Sequence, residues 1–457
     1  MSVAPAELAE RALAAATGPC VVLVDVTSTA NLRWAANTLT TNGLTSSYDV
    51  TVVAIHDGTR AGVVSRAGVP PDDVAGLVAD AEAAARLASP SQDAAPLAGG
   101  AAHDSFGEPP AAVTPSDLGH LANGLGAAFD TARSARHEHF GYAEQVVRST
   151  YLATSTGIRL RHVQPTAVVQ LNGKSAGRTR SAWAGASARS LDDVDVAALS
   201  AEVTERLGWQ ARRVELGAGR YDTVLPPSAV ADLMVYAYES ADARTAHEGR
   251  SVFGHPGGGT RVGDRLSEVP LTLRSDPAHP DLTCSDTVLT SSSGLLGSVF
   301  DNGLPIGAST WVDSGTLSAL PSTRHSAALA GLAFQPFVDN LEFTCAGAAG
   351  GTLDLVGDLD RGLLLTCVWY VREVDPRTLL LTGLTRDGVY FVEGGEVTGA
   401  VTNFRFNESP VDLLGRVEAA GASVPALGRE MGDYFARTAM PPLRVRGFNC
   451  SSVSQAS

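Results

Sequence analysis

Basic residues are scarce in this chain: 34 Lys and Arg stand against 49 Asp and Glu, a net charge of −15 at pH 7. No run of them stands out, which argues against a nucleic-acid binder, since a phosphate-binding face needs clustered Lys and Arg. Arg159, Arg161 and His162 form one small basic patch, which reads as a solvated strand face. Cysteine is sparse as well. Cys20, Cys284, Cys345, Cys367 and Cys450 are too widely spaced for a disulfide framework or a CxxC zinc site. They read as buried or incidental thiols of a reducing compartment. Long apolar runs are missing, and no segment reaches the roughly 18–20 residues that span a bilayer. Residues 1–16 form an Ala-rich amphipathic helix, not a basic stretch ahead of an apolar core, so no signal peptide is expected. These absences describe a cytoplasmic protein with neither nucleic acid nor membrane as partner.

What is present is a patterned chain of 457 residues, enough for two or three domains. Residues 1–90 alternate helix and strand, and 72–88 carry Val74, Leu77, Val78, Ala81 and Ala85 at helical spacing. Residues 89–116 are rich in Ala, Pro, Gly and Ser and read as a long loop. Helices are expected over 116–136, strands from 144 to 188, and a helix over 194–208. A strand over 216–227 ends in two prolines, the expected hinge. A helix over 228–248 follows, with Val230, Leu233, Met234, Ala237 and Ala241 as its stripe. Beyond it, short strands and Gly-rich turns dominate. The expected fold class is α+β: an N-terminal α/β region in two parts, then a C-terminal domain of curved, mostly antiparallel β-sheet. The domains are placed at 1–115, 116–224 and 225–457.

The most readable stretch is 383–421. Val389 to Glu393 alternate as a half-buried strand, and Gly394-Gly395 allow the positive φ values of a two-residue hairpin turn. Residues 396–402 run back. Asn403, Arg405 and Asn407 share one face of the extension, and Phe404 and Phe406 the other. Ser409 suits an N-cap and Pro410 the first helical position, with Leu413, Leu414 and Val417 as the apolar stripe of the helix. A strand with three long polar side chains on one face is suited to hold an extended peptide. Asn403, Arg405 and Asn407 are therefore the candidate substrate-binding residues, with Arg372 and Asp375 on a neighbouring strand bordering the same cleft.

Other constellations carry less. His247-Glu248 with His255 lacks the i, i+4 spacing of zinc ligands on a helix, and Gly254, Pro256 and Gly257 break the helix. His137-Glu138-His139 lies in a segment that reads as helical or irregular and exposed. Ser291-Ser292-Ser293-Gly294 lacks a strand-turn-helix context, and Leu295 to Phe300 reads as a strand after a turn. Gly257-Gly258-Gly259-Thr260 lacks the Lys of a phosphate loop. Cys367 reads as a small core residue.

The stretch 383–421 resembles the C-terminal domain of the TldD/PmbA (TldE) family, whose best-known members form a two-subunit metallopeptidase. The resemblance extends over nearly the whole chain. Asn31-Leu32-Arg33-Trp34 through Asn37-Thr38-Leu39-Thr40-Thr41-Asn42-Gly43 is similar to the family's N-terminal strand pair. Tyr151-Leu152-Ala153-Thr154-Ser155-Thr156-Gly157 is similar to its second region, and residues 221–227, 257–263 and 366–376 to its third. The resemblance implies a metal-bearing subunit with a His-Glu-x-x-x-His helix and a further Cys ligand near the C-terminus. In this chain the matching helix holds no His-Glu pair, and Gly428-Arg429-Glu430-Met431-Gly432-Asp433-Tyr434-Phe435 holds no Cys. The chain therefore resembles the metal-free TldE-type subunit. That implies no metal and no catalytic residue in this chain, zinc on a TldD-like partner carrying His-Glu-x-x-x-His, and a peptide or other amide substrate. The alternatives are half of a pathway-dedicated pair hydrolysing a small-metabolite amide, or a non-enzymatic peptide-binding scaffold.

Overall fold

The computed structural model describes residues 3–454. The chain opens with α1 (Pro5–Ala15), then β1 (Cys20–Ala35), β2 (Thr38–His56), β3 (Arg60–Ala67) and α2 (Val74–Leu87). After the long loop come α3 (Gly119–Ser134), β4 (His137–Thr154), β5 (Arg159–Ser175), β6 (Ser181–Ala188) and α4 (Val196–Trp209). The six strands form one antiparallel sheet in the order β3-β2-β1-β4-β5-β6. Alternation assigns its faces. Even-numbered β1 residues such as Val22, Val24, Ala30 and Leu32 are buried in the two helix-covered cores. Odd-numbered ones such as Asp25 and Arg33 line a cleft on the other face.

The chain then enters the C-terminal region through β7 (Arg213–Val214), β8 (Gly219–Leu225), α5 (Pro227–Glu239) and α6 (Ala243–His247). β9 (Leu271–Ser275), β10 (Ser309–Asp313), β11 (Thr316–Leu317), α7 (Arg324–Ala330), β12 (Leu341–Cys345) and α8 (Thr352–Gly357) follow. Next are β13 (Arg361–Leu365), β14 (Val368–Asp375), β15 (Leu380–Thr385), β16 (Val389–Glu393), β17 (Glu396–Val401) and β18 (Phe404–Glu408). The chain closes with α9 (Pro410–Leu414), β19 (Val417–Ala420), β20 (Val424–Ala426), β21 (Thr438–Met440) and β22 (Leu443–Val453). One sheet runs β11-β10-β9-β12-β21-β20, and the larger runs β14-β15-β18-β22-β8-β13-β16-β17-β7 with β19 on β22. The fold is α+β with mostly antiparallel sheets. Helix α5 is buried almost all round in the main C-terminal core. No helix among the described residues is long and apolar enough to cross a membrane.

Several local expectations change. Residues 228–248 are two helices, because the chain breaks at Ser240 and Asp242 starts α6 as an N-cap on Thr245. His137 to His139 lie in β4, where pairing with β5 along its length overrides the local composition. His139 is fully buried, not exposed. Val417 begins β19 rather than extending α9, which ends at Leu414. Residues 295–300 form no strand; only a short 3-10 turn, Val299–Asp301, occurs there. Cys367 is buried between β13 and β14, as a small core residue. Ser451 to Val453 belong to β22. Met1, Ser2 and residues 455–457 of the expected terminal segments lie outside the described residues.

Candidate functional site

A cleft of about 1000 Å³ lies between the first sheet and the C-terminal region. Its floor is the cleft face of β1, β4 and β5, which alternation makes polar: Asp25, Arg33, Glu144, Arg148, Thr150 and Gln170 stand there. These groups hold one another. Thr150 Oγ1 donates to Asp25, and Tyr142 OH to Glu144. The Arg33 guanidinium lies 4.9 Å from the centre of the Tyr142 ring. Burial holds the His162 imidazole below its usual pKa, so it is neutral at pH 7. Its Nε2 lies 3.2 Å from Gln164 Oε1.

The opposite wall includes residues 432–437. Gln170 Nε2 donates to Asp433 Oδ1 at 3.0 Å, and Arg437 Nη1 to Thr166 Oγ1 at 3.0 Å. Arg437 also pairs with Asp339. This wall continues from a turn fixed against α5. The Asp232 carboxylate, 1% exposed, accepts the backbone N–H groups of Arg429, Glu430 and Met431 at 3.0, 2.9 and 2.9 Å. A Cβ on Gly428 would lie 2.4 Å from Asp232 Oδ1, so the turn approaches the helix closely only because glycine stands there. Burial pushes the Asp232 carboxyl up to about 7, against the three N–H groups that favour its charged form.

Arg429 ties the two halves together. Its guanidinium carbon lies 4.3 Å from the Trp369 ring centre and 5.4 Å from that of Trp183, and Nη1 donates to Gln170 at 2.9 Å. Planar, weakly hydrated guanidinium suits such stacking. Glu430 Oε1 accepts from Arg372 at 3.0 Å.

The junction of α5 with the 428–431 turn joins the two segments in which the sequence comparison sought metal ligands. The donors present do not fit a metal ion. Both Asp232 oxygens are engaged by N–H groups, and no His or Cys stands on α5 or in the turn. Among the described residues no group of three His, Cys, Asp or Glu side chains is arranged to hold one. His247 ends α6, whereas His255 sits in a turn with Gly257, Gly258 and Gly259 at positive φ.

The four expected substrate-binding residues lie elsewhere on the C-terminal sheet, and none lines the large cleft. Thr382 of β15 stands opposite both Arg372 and Asn407, so those two share a row across the sheet. Arg405 is exposed and its Nη1 lies 3.4 Å from Thr382 Oγ1. Phe404 and Phe406 are fully buried on the other face, as alternation requires. Asn403 precedes β18, and its Oδ1 accepts from Thr385 at 3.3 Å. Asn407 lines a second cavity of about 560 Å³ with Arg220, Arg261, Arg265 and Arg416. Asp375 caps its own turn by accepting from Arg377 N and Thr378 Oγ1. Asp232, Arg429 and the polar floor escaped sequence reasoning. Gly428, a glycine just ahead of the Arg-Glu-Met run, was the one visible sign of a close approach.

Residues 218–452 match the family profile described as PmbA/TldA metallopeptidase C-terminal domain. The chain belongs to the PmbA/TldD family. The fold agrees with that membership along the whole length. TldE from Thermococcus kodakarensis superposes with a TM-score of 0.78 at 15% identity, covering 97% of this chain and 98% of that one. A candidate modulator of DNA gyrase from Thermotoga maritima gives 0.75 at 15% identity, with 97% and 99% covered. A second such protein, from Bacteroides thetaiotaomicron, gives 0.74 at 14% identity, with 97% of each chain covered. No curated protein sequence matches the chain. This PmbA/TldD member therefore shares its fold with proteins to which its sequence is only 14–15% identical.

Proposed function

We propose that this chain is the metal-free, TldE-type subunit of a two-subunit zinc peptidase of the PmbA/TldD family, acting in the cytoplasm. The observation that supports the reading is the α5 junction, where the buried Asp232 carboxylate accepts three backbone N–H groups and no His or Cys stands beside it. The zinc belongs to a TldD-like partner with His-Glu-x-x-x-His. When bound there, the metal would supply an activated water for amide hydrolysis. This chain contributes walls: the polar cleft floor and the sheet face that carries Arg372, Arg405 and Asn407 help hold an unfolded peptide. The partner covers an apolar part of the 225–450 region, in an interface of roughly 2,000 Å² or more in total.

The test is reconstitution. The purified chain is expected to hold no stoichiometric zinc by elemental analysis and to cleave no peptide alone. Mixed with the partner, it is expected to restore chelator-sensitive cleavage of unfolded peptides. One tightly held zinc per chain, or chelator-insensitive hydrolysis by the chain alone, would defeat the reading.

A further inference from the structure

Arg148 of β4 stands in the cleft floor and is exposed to it. The other charged side chains that line the cleft are answered by a neighbour. Asp25 accepts from Thr150, Glu144 from Tyr142 and Asp433 from Gln170. Asp339 pairs with Arg437, and Asp301 with Arg324. Arg33 is stacked on the Tyr142 ring, and His162 is neutral. Arg148 is the exception. Among the described residues it makes no hydrogen bond and no ion pair, although its charge reaches Asp339.

Its place in the sheet explains this. Arg148 stands opposite Thr27 of β1 and Gln164 of β5, both uncharged. Gln164 is itself engaged, donating to Thr283 O at 3.1 Å and facing His162. Asp25, diagonal to Arg148 on β1, is held by Thr150. The guanidinium therefore keeps its fork of N–H donors without a protein acceptor. That fork matches the two oxygens of a carboxylate.

The facing wall indicates what carries the carboxylate. The C-terminal region brings Leu289, Leu296, Ile306, Phe334 and Phe337 to the same cleft, each half-buried. A volume of about 1000 Å³ stands at the upper end of the usual range for ligand sites, so the cleft holds more than a small acid. We infer that Arg148 binds a carboxylate of the peptide, at its C-terminus or on an Asp or Glu side chain, while apolar side chains of the same peptide lie against this wall. The inference rests on the reading that the cleft holds the peptide. A chain of net charge −15 repels anions at long range, so any preference for a carboxylate has to arise from a local contact.

Fluorescence anisotropy with the full chain alone tests it, using N-terminally labelled peptides of about eight residues that end in Phe. The first has a free C-terminal carboxylate and no acidic residue, the second is its C-terminal amide, and the third is that amide with one internal Glu. The first or the third should bind at least about tenfold more tightly than the second, and the tighter of the two names the source of the carboxylate. Arg148→Gln should remove the preference while leaving the amide's affinity and the melting temperature unchanged. Should that variant fail to fold, Arg148→Lys, which keeps the charge but loses the fork, should show a reduced preference. Equal binding of all three peptides, binding of none, or a preference that survives Arg148→Gln would overturn the inference. Cleavage by the reconstituted pair tests the parent reading separately. A pair that cleaves while the chain shows no preference overturns the inference alone, and a binding preference without cleavage overturns the reading alone.

Discussion

Asp232 sits where burial and backbone donors oppose each other, and burial prevails. Its carboxyl is raised from the usual 3.8 to about 7. Between those values the folded chain keeps a proton that the unfolded chain has lost. The folded state then binds more protons, so stability falls as pH rises through this window and is fully present below it. Asp232→Asn should remove that dependence. Urea midpoints measured from about pH 4 to about pH 7 should fall less steeply in the variant, the difference being at most about 1.4 kcal/mol per pH unit. Arg405 and Phe404 provide a second contrast, since neighbours in sequence face opposite ways. Arg405→Ala should leave folding within about 0.5 kcal/mol, yet lower kcat/KM of the reconstituted pair roughly tenfold to a hundredfold if its face holds the peptide. Phe404, 0% exposed, should cost about 3–5 kcal/mol when truncated to Ala. Unchanged turnover with Arg405→Ala would remove that face from the substrate path.

At the scale of elements, the hairpin of β16 and β17 follows from local chemistry. Gly394 and Gly395 take φ values of 60° and 79°, and β16 pairs with β17 across them. The start of α9 is equally local. Ser409 Oγ accepts from Asp412 N at 3.3 Å and donates to Thr378 O at 2.7 Å. Ser409→Ala loses both the cap and the tie to the turn between β14 and β15, so a loss of about 1–2 kcal/mol in chemical denaturation is expected. No loss would mean that water replaces the hydroxyl. β4 shows the opposite case. His137 to His139 have no strand-like composition, and only pairing with Gly173 to Ser175 of β5 makes them strand. Burial then takes the His139 imidazole down to about 4, with neither ring nitrogen hydrogen-bonded.

At the scale of the whole molecule, the N-terminal sheet and the C-terminal region share a core, in which Val21, Leu152 and Leu160 pack with Val299 and Phe300, and polar contacts around the cleft. Arg429 is one of these polar contacts, touching Trp183, Trp369 and Gln170. Arg429→Ala removes two ring contacts and the bond to Gln170, so about 2–3 kcal/mol of stability should be lost. A change in Trp fluorescence should accompany it, because Trp183 and Trp369 lose their shared cation. An unaltered denaturation midpoint would show that the halves are held by the remaining contacts alone. The C-terminal sheet also reaches back in sequence. β7 and β8 precede the two prolines yet belong to the large sheet, β8 between β22 and β13.

The sequence by itself determined the family, the fold class and the elements whose signals are local. Alternation in β18, the Gly394-Gly395 turn and the Ser409 cap each act within a few residues, so their physics is written in neighbouring letters. Burial of Phe404 beside exposed Arg405 follows from the same alternation. Only the tertiary structure decided the cleft, the nest around Asp232 and the seat of Arg429. Asp232 and Met431 stand far apart in the chain, and their contact depends on α5 packing against a turn that only Gly428 lets approach. Arg372 and Asn407 came together in one row because β15 lies between their strands, whereas the cleft drew its polar floor from β1, β4 and β5. Long-range strand pairing sets such neighbours, and no spacing along the chain encodes them.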